Sequence, residues 1–462
     1  MLHVLSYGGF ALIGLNAGNL SAQQPAPQPI TIGQAVDNAA RSYPAITVSQ
    51  EQIDAAAAGI QLARTAYLPR LDTIAQVNRA TRNNVFGLLL PQSIIPSISG
   101  PVLGSNSVDS VWGSAVGATV SWEPFDFGLR HANVSAATAA KARNEASLKR
   151  TQFEISVATA DAFLTLIAAQ ETVRAAQASL ERAQSLAQSV RAQVDTQLRP
   201  GADASRTDAE LAAARTQLAQ AQRSQDVARA VLSEFIGVPP QQIEIVATRL
   251  LQLPPELPNP SVDVTQNPIA LEQSALLAQK KADLQVLEKS YAPRFVAQGS
   301  AFARGTGART DGTRLDGGSG LTPNTQNYAL GVSITFPLFD HASIHAKQVG
   351  QAATIRAETA RYQQITTDLT AQRNVANATL EGARKVAANT PVAVSSATVA
   401  NQQANARYQA GLGTIVEVAD TQRLLTQAEI DDALARLSVW RAMLSVAAST
   451  GEIQSFLAEA TR

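Results

Sequence analysis

Two histidines and an aspartate near residue 340 have the spacing of a metal site. His341 and His345 are four residues apart, so they would share one face of a helix, with Asp340 beside them. Two of the three recur 214 positions earlier, as Asp126 (340 − 126) and His131 (345 − 131). Repetition at the predicted joints between strand and helix favours a structural role, so we expect no metal and no cofactor.

Few other residues suit catalysis. The 462 residues include four histidines and no cysteine, and no Ser/His/Asp set has recognisable spacing, so an enzyme is the least expected class. The glycine-rich stretch 305–320 matches neither a Walker A nor a dinucleotide pattern. A net charge of zero argues against a nucleic-acid partner.

A second polar group lies at a predicted turn between helices. Glu417 and Asp420 are three residues apart and would share a helix face. Tyr408 precedes them, and Asp203 corresponds to Glu417 through the same shift of 214 (417 − 203). By spacing alone, the two acids also suit an ordinary helix start, where negative charge complements the helix dipole.

The elements that must position these residues occur twice. The segment Tyr-Leu-Pro-Arg-Leu at 67–71 returns as Tyr-Ala-Pro-Arg-Phe at 291–295, and Gly237 returns as Gly451. Each copy predicts a helix, two strands, a very long helix and a shorter helix. We expect a signal peptide at 1–22, a first repeat at 30–250, a proline-rich connector at 251–266 and a second repeat at 267–455.

The predicted strands carry a membrane pattern. Residues 111–122 and 328–338 each alternate an apolar face with a face of small or polar side chains. About ten residues per strand suits a crossing of the outer membrane. We predict strands at about 70–80, 111–123, 294–304 and 328–338. Aromatic residues near the strand ends are predicted membrane anchors in contact with outer-membrane lipid: Trp112, Trp122, Tyr328 and Phe336.

The predicted long helices differ between the copies. Residues 129–198 contain no glycine or proline, which allows one helix of roughly 100 Å. The second long helix, about 342–410, contains Pro391, so we expect a bend or break near 389–391. The shorter helix of the first copy has apolar or small residues at heptad spacing, which predicts a coiled-coil seam: Leu211, Ala214, Leu218, Ala221, Ala228, Leu232 and Phe235.

Four strands cannot close a membrane barrel, because an open edge in hydrocarbon leaves backbone groups unpaired. The chain must therefore associate with copies of itself under cyclic symmetry. Two copies would give eight strands, whose interior side chains fill, whereas three copies give twelve. We therefore expect a homotrimer.

The repeats, the alternating strands and the turn at 408–420 resemble the TolC-type outer-membrane efflux protein family over about residues 30–455. The resemblance implies a mainly α fold with a transmembrane β-barrel, in which a trimer forms a 12-stranded barrel and a periplasmic α-helical tunnel. It also implies an outer-membrane channel that serves efflux or type I secretion. Its partners would be a periplasmic adaptor and an inner-membrane transporter.

The same resemblance assigns roles at the inner end of the tunnel. Glu417 and Asp420 match an acidic pair that lines the constriction, and Tyr408 matches a gate tyrosine that bonds to the first turn, where Asp203 is the acidic partner. Some members have an arginine four residues before the acidic pair. This chain has Gly413 there, with Arg206 and Arg423 as candidate substitutes.

The competing function is a structural or adhesive trimeric coiled-coil protein of the cell envelope. It would account for the Ala/Gln-rich helices but not for two matched pairs of amphipathic strands.

Overall fold

The computed structural model describes residues 29–81, 108–255, 263–309 and 313–461. Three sequence features lie outside the described residues: the predicted signal peptide (1–22), most of the first hairpin loop (82–107) and part of the proline-rich connector (256–262).

Each half of the chain contains helix, two strands, long helix and shorter helix in that order, so the predicted fold class is confirmed. The elements of the first half are α1 (Ile32–Ser42), α2 (Pro44–Thr65), β1 (Arg70–Thr81), β2 (Ser110–Phe125), α3 (Leu129–Asp195) and α4 (Gly201–Ile236). Those of the second half are α5 (Pro268–Lys289), β3 (Arg294–Thr306), β4 (Thr325–Thr335), α6 (His341–Gln409), α7 (Ile415–Thr450) and α8 (Gln454–Thr461).

The four strands form one antiparallel sheet in the order β1-β2-β3-β4. Its register places Ile74, Gly117, Phe302 and Asn327 in one row, with Asp72, Thr119, Ser300 and Ala329 in the next row on the same face. The opposite face exposes large apolar side chains, as the alternation predicts: Val116, Val120, Trp122, Leu330, Val332 and Ile334. Within the chain, β1 and β4 remain the edges of the sheet.

Of the bend or break expected near 389–391, the break is wrong, because α6 is continuous from His341 to Gln409 with Pro391 inside it. Pro391 lacks the N–H that would bond the carbonyl of Ala387. The neighbouring Thr390 hydroxyl lies 2.7 Å from Asp432 Oδ1 on α7 and 3.5 Å from that carbonyl. Tertiary packing holds the helix here, since Ala387 is fully buried in a cluster shared with α7.

The predicted seam of α4 is buried. Ala214, Ala221, Ala228 and Leu232 are enclosed, and Leu211, Leu218 and Phe235 pack beside them. Small alanine side chains let α3 and α4 approach closely, as in a coiled coil. In the described part of the chain one helix, α3, has a stretch long and apolar enough to span a membrane, and half of that stretch is buried inside the protein.

The largest core lies around the middle of α3 and the C-terminal parts of α4 and α7, where the two halves meet. It includes Phe163 of α3, Leu232 of α4 and Trp440 of α7, all fully buried, and it extends to α1 and α8. The indole N–H of Trp440 donates to the Gln252 carbonyl at 2.8 Å. Ile30 bridges to Ile245, so the start of the described chain is fastened to the same core.

The two joints between strand and helix are built differently. In the first, the Asp126 carboxylate accepts from the backbone N–H groups of Gly128 and Arg130 at the start of α3. In the second, Asp340 makes no side-chain cap bond. The rings of His341 and His345 stack at 6.1 Å, and Tyr291 meets His341 edge-on at 5.4 Å. The histidines thus belong to an aromatic cluster at the second joint.

Candidate functional site

The candidate site consists of the two turns that join the long helices to the shorter ones, residues 196–200 and 410–414. The turns are alike in backbone, because Gln197 (φ 62°) and Gly411 (φ 76°) are both left-handed and are equivalent through the shift of 214 (411 − 197). Each turn then presents one leucine to solvent, Leu198 at 75% exposure and its equivalent Leu412 at 72%. The repeat therefore extends to the conformation of the turns.

Tyr408 is the enclosed residue of this region. It lies in the last turn of α6 and is only 3% exposed, in a cluster with Val190 of α3 and with Ile415 and Val418 of α7. Its hydroxyl donates to Asp203 Oδ2 at 3.3 Å. The hydrogen bond predicted from the sequence is thus present, and its role in gating stays a prediction.

Arg199 contacts the same tyrosine in two further ways. Its Nη2 donates to the Tyr408 carbonyl at 2.6 Å, and its guanidinium lies over the aromatic ring, 4.4 Å from the centroid. The same carbonyl also accepts from the backbone N–H of Gly411 at 3.0 Å, as is usual at a helix end. Arg199 therefore contacts the carbonyl and the ring face of Tyr408, and Asp203 at the start of α4 accepts from its hydroxyl.

The environment changes the acidity of Tyr408. Burial raises the pKa of its hydroxyl above the ordinary value, and the Asp203 carboxylate raises it further by its charge and by accepting the proton. The positive charge of Arg199 lowers the same pKa in part. The neutral, hydrogen-bonded phenol is therefore the favoured form.

The acidic pair lies on the first turns of α7, and both side chains are exposed to solvent. Glu417 donates its backbone N–H to Thr414 Oγ1 at 3.3 Å, in a capped helix start. Asp420 Oδ1 lies 3.6 Å from Arg423 Nη1. The same arginine binds both carboxylate oxygens of Glu210 on α4, at 2.7 and 3.3 Å. Arg423 therefore carries positive charge to the acidic face and links α7 to α4.

Neither substitute arginine considered from the sequence contacts the Tyr408–Asp203 pair. Arg206 Nε lies 3.4 Å from Glu210 Oε1, and Arg423 bonds Glu210 and Asp420. Sequence reasoning missed Arg199, although a signal existed. The shift of 214 that relates Asp203 to Glu417 also relates Arg199 to Gly413 (413 − 199).

Space around Gly413 is small. An ideal Cβ there would lie 3.1 Å from Glu417 Oε2, 3.2 Å from Arg407 Cβ and 3.3 Å from the Tyr408 nitrogen. Any side chain at 413 would press on these atoms. A side chain at this position would therefore require these neighbours to move by a few tenths of an ångström.

Three of the predicted anchor residues, Trp112, Trp122 and Tyr328, lie on strands of the sheet, whereas Phe336 follows the end of β4. Trp122, Tyr328 and Phe336 are exposed, with Tyr328 at 83%, and the indole N–H of Trp122 donates to the Tyr67 carbonyl at 3.2 Å. Trp112 is half-buried, with the guanidinium of Arg79 5.3 Å from its ring. The register places Tyr328 in the row of Ala118, not level with Trp112. Their function as anchors stays a prediction.

Comparisons with known proteins agree with this architecture. The sequence profile described as "outer membrane efflux protein" matches residues 35–238 and 267–452. The pyoverdine export outer membrane protein OpmQ of Pseudomonas putida is 29% identical over 301 residues, which span 62% of this chain and 59% of that protein. The cobalt-zinc-cadmium resistance protein CzcC of Cupriavidus metallidurans is 25% identical over 408 residues, or 87% of this chain and 85% of that protein.

Solved structures share the fold. The chain superposes on the CusC channel with a TM-score of 0.75 at 15% identity, covering 91% of this chain and 92% of that one. The profile covers both repeats, and the structural likeness covers sheet and helices together.

Proposed function

Because this chain belongs to the outer membrane efflux protein family, we propose that it forms the outer-membrane exit duct of an export system. In this role the sheet would contribute to a barrel in the outer membrane, and the helices would continue the passage into the periplasm. Each long helix, at 67 and 69 residues, is roughly 100 Å long. That length is several times the thickness of a membrane.

The observation that carries the proposal is the sheet with its two open edges. Its apolar face exposes Leu330, Val332 and Ile334, which suits lipid and not water. The edges β1 and β4 cannot remain unpaired in hydrocarbon, because each unbonded backbone group costs several kcal/mol there. Pairing of β4 with β1 of the next copy would close a barrel, and three copies would give twelve strands.

The helices would close into a tunnel in the same assembly, because α3 and α6 follow directly from β2 and β4. The two turns at the far end of the helices would then surround the axis. We propose that Tyr408 and Asp203 hold these turns in the closed arrangement, and that Glu417 and Asp420 line the constriction. A ring of carboxylates favours cations over anions.

The partners would be a periplasmic adaptor and an inner-membrane transporter, since the duct itself has no source of energy. A polar groove of about 510 Å³ runs between α3 and α6 beside Tyr408, and it is lined by small and amide side chains that include Ser189, Gln193 and Asn405. We propose this groove as the contact surface for the adaptor, because it lies beside Tyr408. The relatives are named for pyoverdine export and for cobalt, zinc and cadmium resistance, so both kinds of cargo should be tested.

The competing proposal, a structural or adhesive coiled-coil protein, needs no membrane sheet. It leaves the apolar face of β2 and β4 without a function. The two proposals predict different solubility without detergent and different bilayer conductance.

The test is to purify the full-length protein in detergent and reconstitute it in planar bilayers. We expect an oligomer of three chains that is dissociated by heat, and discrete conductance steps. A protein that is soluble without detergent and leaves the bilayer conductance unchanged would refute the duct. In cells, deletion should sensitise the strain to the exported compound, and the intact gene should restore resistance.

A further inference from the structure

We propose that Arg199 is the positioning residue of the gate, holding Tyr408 and the second turn in the closed arrangement in place of an arginine at position 413. The inference rests on the proposed duct and deepens it. It assigns to the first repeat a function that the family resemblance places in the second.

The equivalence of the two positions comes from the repeat. Arg199 and Gly413 each follow an exposed leucine, Leu198 or Leu412, and each precedes a helix N-cap in extended conformation, Pro200 (ψ 144°) or Thr414 (ψ 156°). Arg199 and Gly413 therefore occupy equivalent backbone positions in the two turns. In this chain the arginine is in the first turn, and the second turn has the glycine.

The contacts of Arg199 are directed at one residue. A surface arginine that merely solvates a turn would not be expected both to bond a helix-end carbonyl and to stack on the ring of the same residue. The 2.6 Å bond to the Tyr408 carbonyl and the 4.4 Å stacking distance together define the position of that tyrosine. Planar guanidinium is suited to both contacts, whereas an ammonium group can make the first but stacks poorly.

The second turn has a glycine at the equivalent position and so supplies no guanidinium there. A side chain at 413 would be crowded, since its Cβ would lie 3.1 to 3.3 Å from Glu417, Arg407 and the Tyr408 backbone. The neighbouring Arg407 already donates to the Leu412 carbonyl at 3.1 Å within its own turn. We call the contacts of Arg199 and Asp203 with Tyr408 the clamp. All of these contacts are formed within one subunit.

A clamp within the subunit has a mechanical consequence. Movement of the second turn away from the first must break the carbonyl bond, the ring contact and the hydroxyl bond to Asp203 together. Opening should therefore respond to Arg199 at least as strongly as to Tyr408 or Asp203.

The first measurement is the open-to-closed ratio of the full-length channel in bilayers, for Arg199→Gln. The control is Arg191→Gln, which removes an arginine near the same helix end that pairs with Asp208 at 2.6 Å and is 60% exposed. We expect Arg199→Gln to raise the ratio about tenfold, the factor that corresponds to one hydrogen bond from a charged donor, and the control to change it little. Arg199→Lys should be intermediate.

The second measurement is the titration of the Tyr408 phenol, read as the absorbance difference between each variant and its Tyr408→Phe counterpart. If Arg199 positions the ring, its loss exposes the ring, and the pKa falls toward the ordinary value because burial is the largest cause of the rise. If Arg199 does not position the ring, the ring stays buried in the variant, and loss of the positive charge raises the pKa of Tyr408 further. The conductance of the variant would then be unchanged. That second result overturns the proposal.

Failure of the inference and failure of the duct are distinguishable. One outcome is increased opening in the Tyr408→Phe, Asp203→Ala double variant together with normal gating in Arg199→Gln and Arg199→Lys. That outcome would support the gate but refute the positioning role of Arg199. A wild-type protein that forms no channel rejects the duct itself.

Discussion

Arg130 pairs with Asp126 at 3.0 Å in the joint between β2 and α3, and the two side chains are only 8% and 11% exposed. The arginine also donates to the carbonyls of Ala66 and Pro124 and lies over the ring of Tyr67. Tyr67 of the repeated Tyr-x-Pro-Arg segment thus contacts the start of the long helix through Arg130, whose charge is paired with Asp126. The first joint depends on this pair.

Replacement of Asp126 by alanine should destabilise the assembled protein by about 3 kcal/mol, because a charge buried without its partner is costly. The matched control is Asp340→Ala at the equivalent joint of the second repeat, where the side chain makes no cap bond. The measurement is the temperature at which each variant oligomer dissociates. Equal shifts for the two variants would contradict the assigned difference between the joints.

Replacement of Arg423 by glutamine should make the channel more selective for cations. Arg423 lies 3.6 Å from Asp420, so its removal leaves the proposed acidic ring less neutralised. Because both groups are exposed, the expected rise in the cation-to-anion permeability ratio is only about two- to fivefold. Reversal potentials in a salt gradient measure it, with Arg191→Gln as control. An unchanged ratio would show that Asp420 lies away from the pathway.

Alkaline pH should open the channel through Tyr408. The pKa of the phenol in the folded protein is raised above 10.0, so the stability contributed by its neutral form is fully present below pH 10.0. That stability is lost as the pH rises through the raised pKa, when the phenolate and the Asp203 carboxylate repel each other. Conductance measured against pH should rise above pH 10.0 in the wild type and lack this transition in Tyr408→Phe. The same transition in both proteins would assign it to other groups.

Replacement of Pro391 by alanine should stabilise α6. The change restores an N–H that can bond the Ala387 carbonyl, and a proline inside a helix costs up to about 3 kcal/mol relative to alanine. We expect a gain of about 1 to 3 kcal/mol, measured as an increase in the midpoint of helix unfolding by circular dichroism. Pro44→Ala is the control, since Pro44 is the first residue of α2 and removes no helical bond. A loss of stability in Pro391→Ala would mean that the proline conformation itself is required.

Much of this architecture follows from local patterns. Alternation along 111–122 and 328–338 predicts which strand faces expose apolar groups, because successive side chains of a strand point to opposite sides. Heptad spacing in α4 predicts the buried alanines, and the shift of 214 relates Asp203 to Glu417. The same arithmetic relates Arg199 to Gly413, but equivalence in the sequence does not say what either residue contacts.

Local rules fail where a distant element decides the outcome. Pro391 predicts a bend or break in an isolated helix, yet α7 packs against α6 next to the proline and supplies Asp432 beside it. The partner of Arg423 is Glu210, more than 200 residues away in the chain. No periodicity within α7 contains that information.

The sequence by itself determined the repeat, the order of the elements and the apolar face of the sheet, and its resemblance to a known family implied that Tyr408 and Asp203 are a pair. The tertiary structure decided that Arg199 contacts Tyr408, that the surroundings of Gly413 are crowded and that the two strand–helix joints are unequal. The physical reason is that strand and helix periodicity are properties of neighbouring residues. A guanidinium finds its partner only after packing has brought separate turns within hydrogen-bond distance.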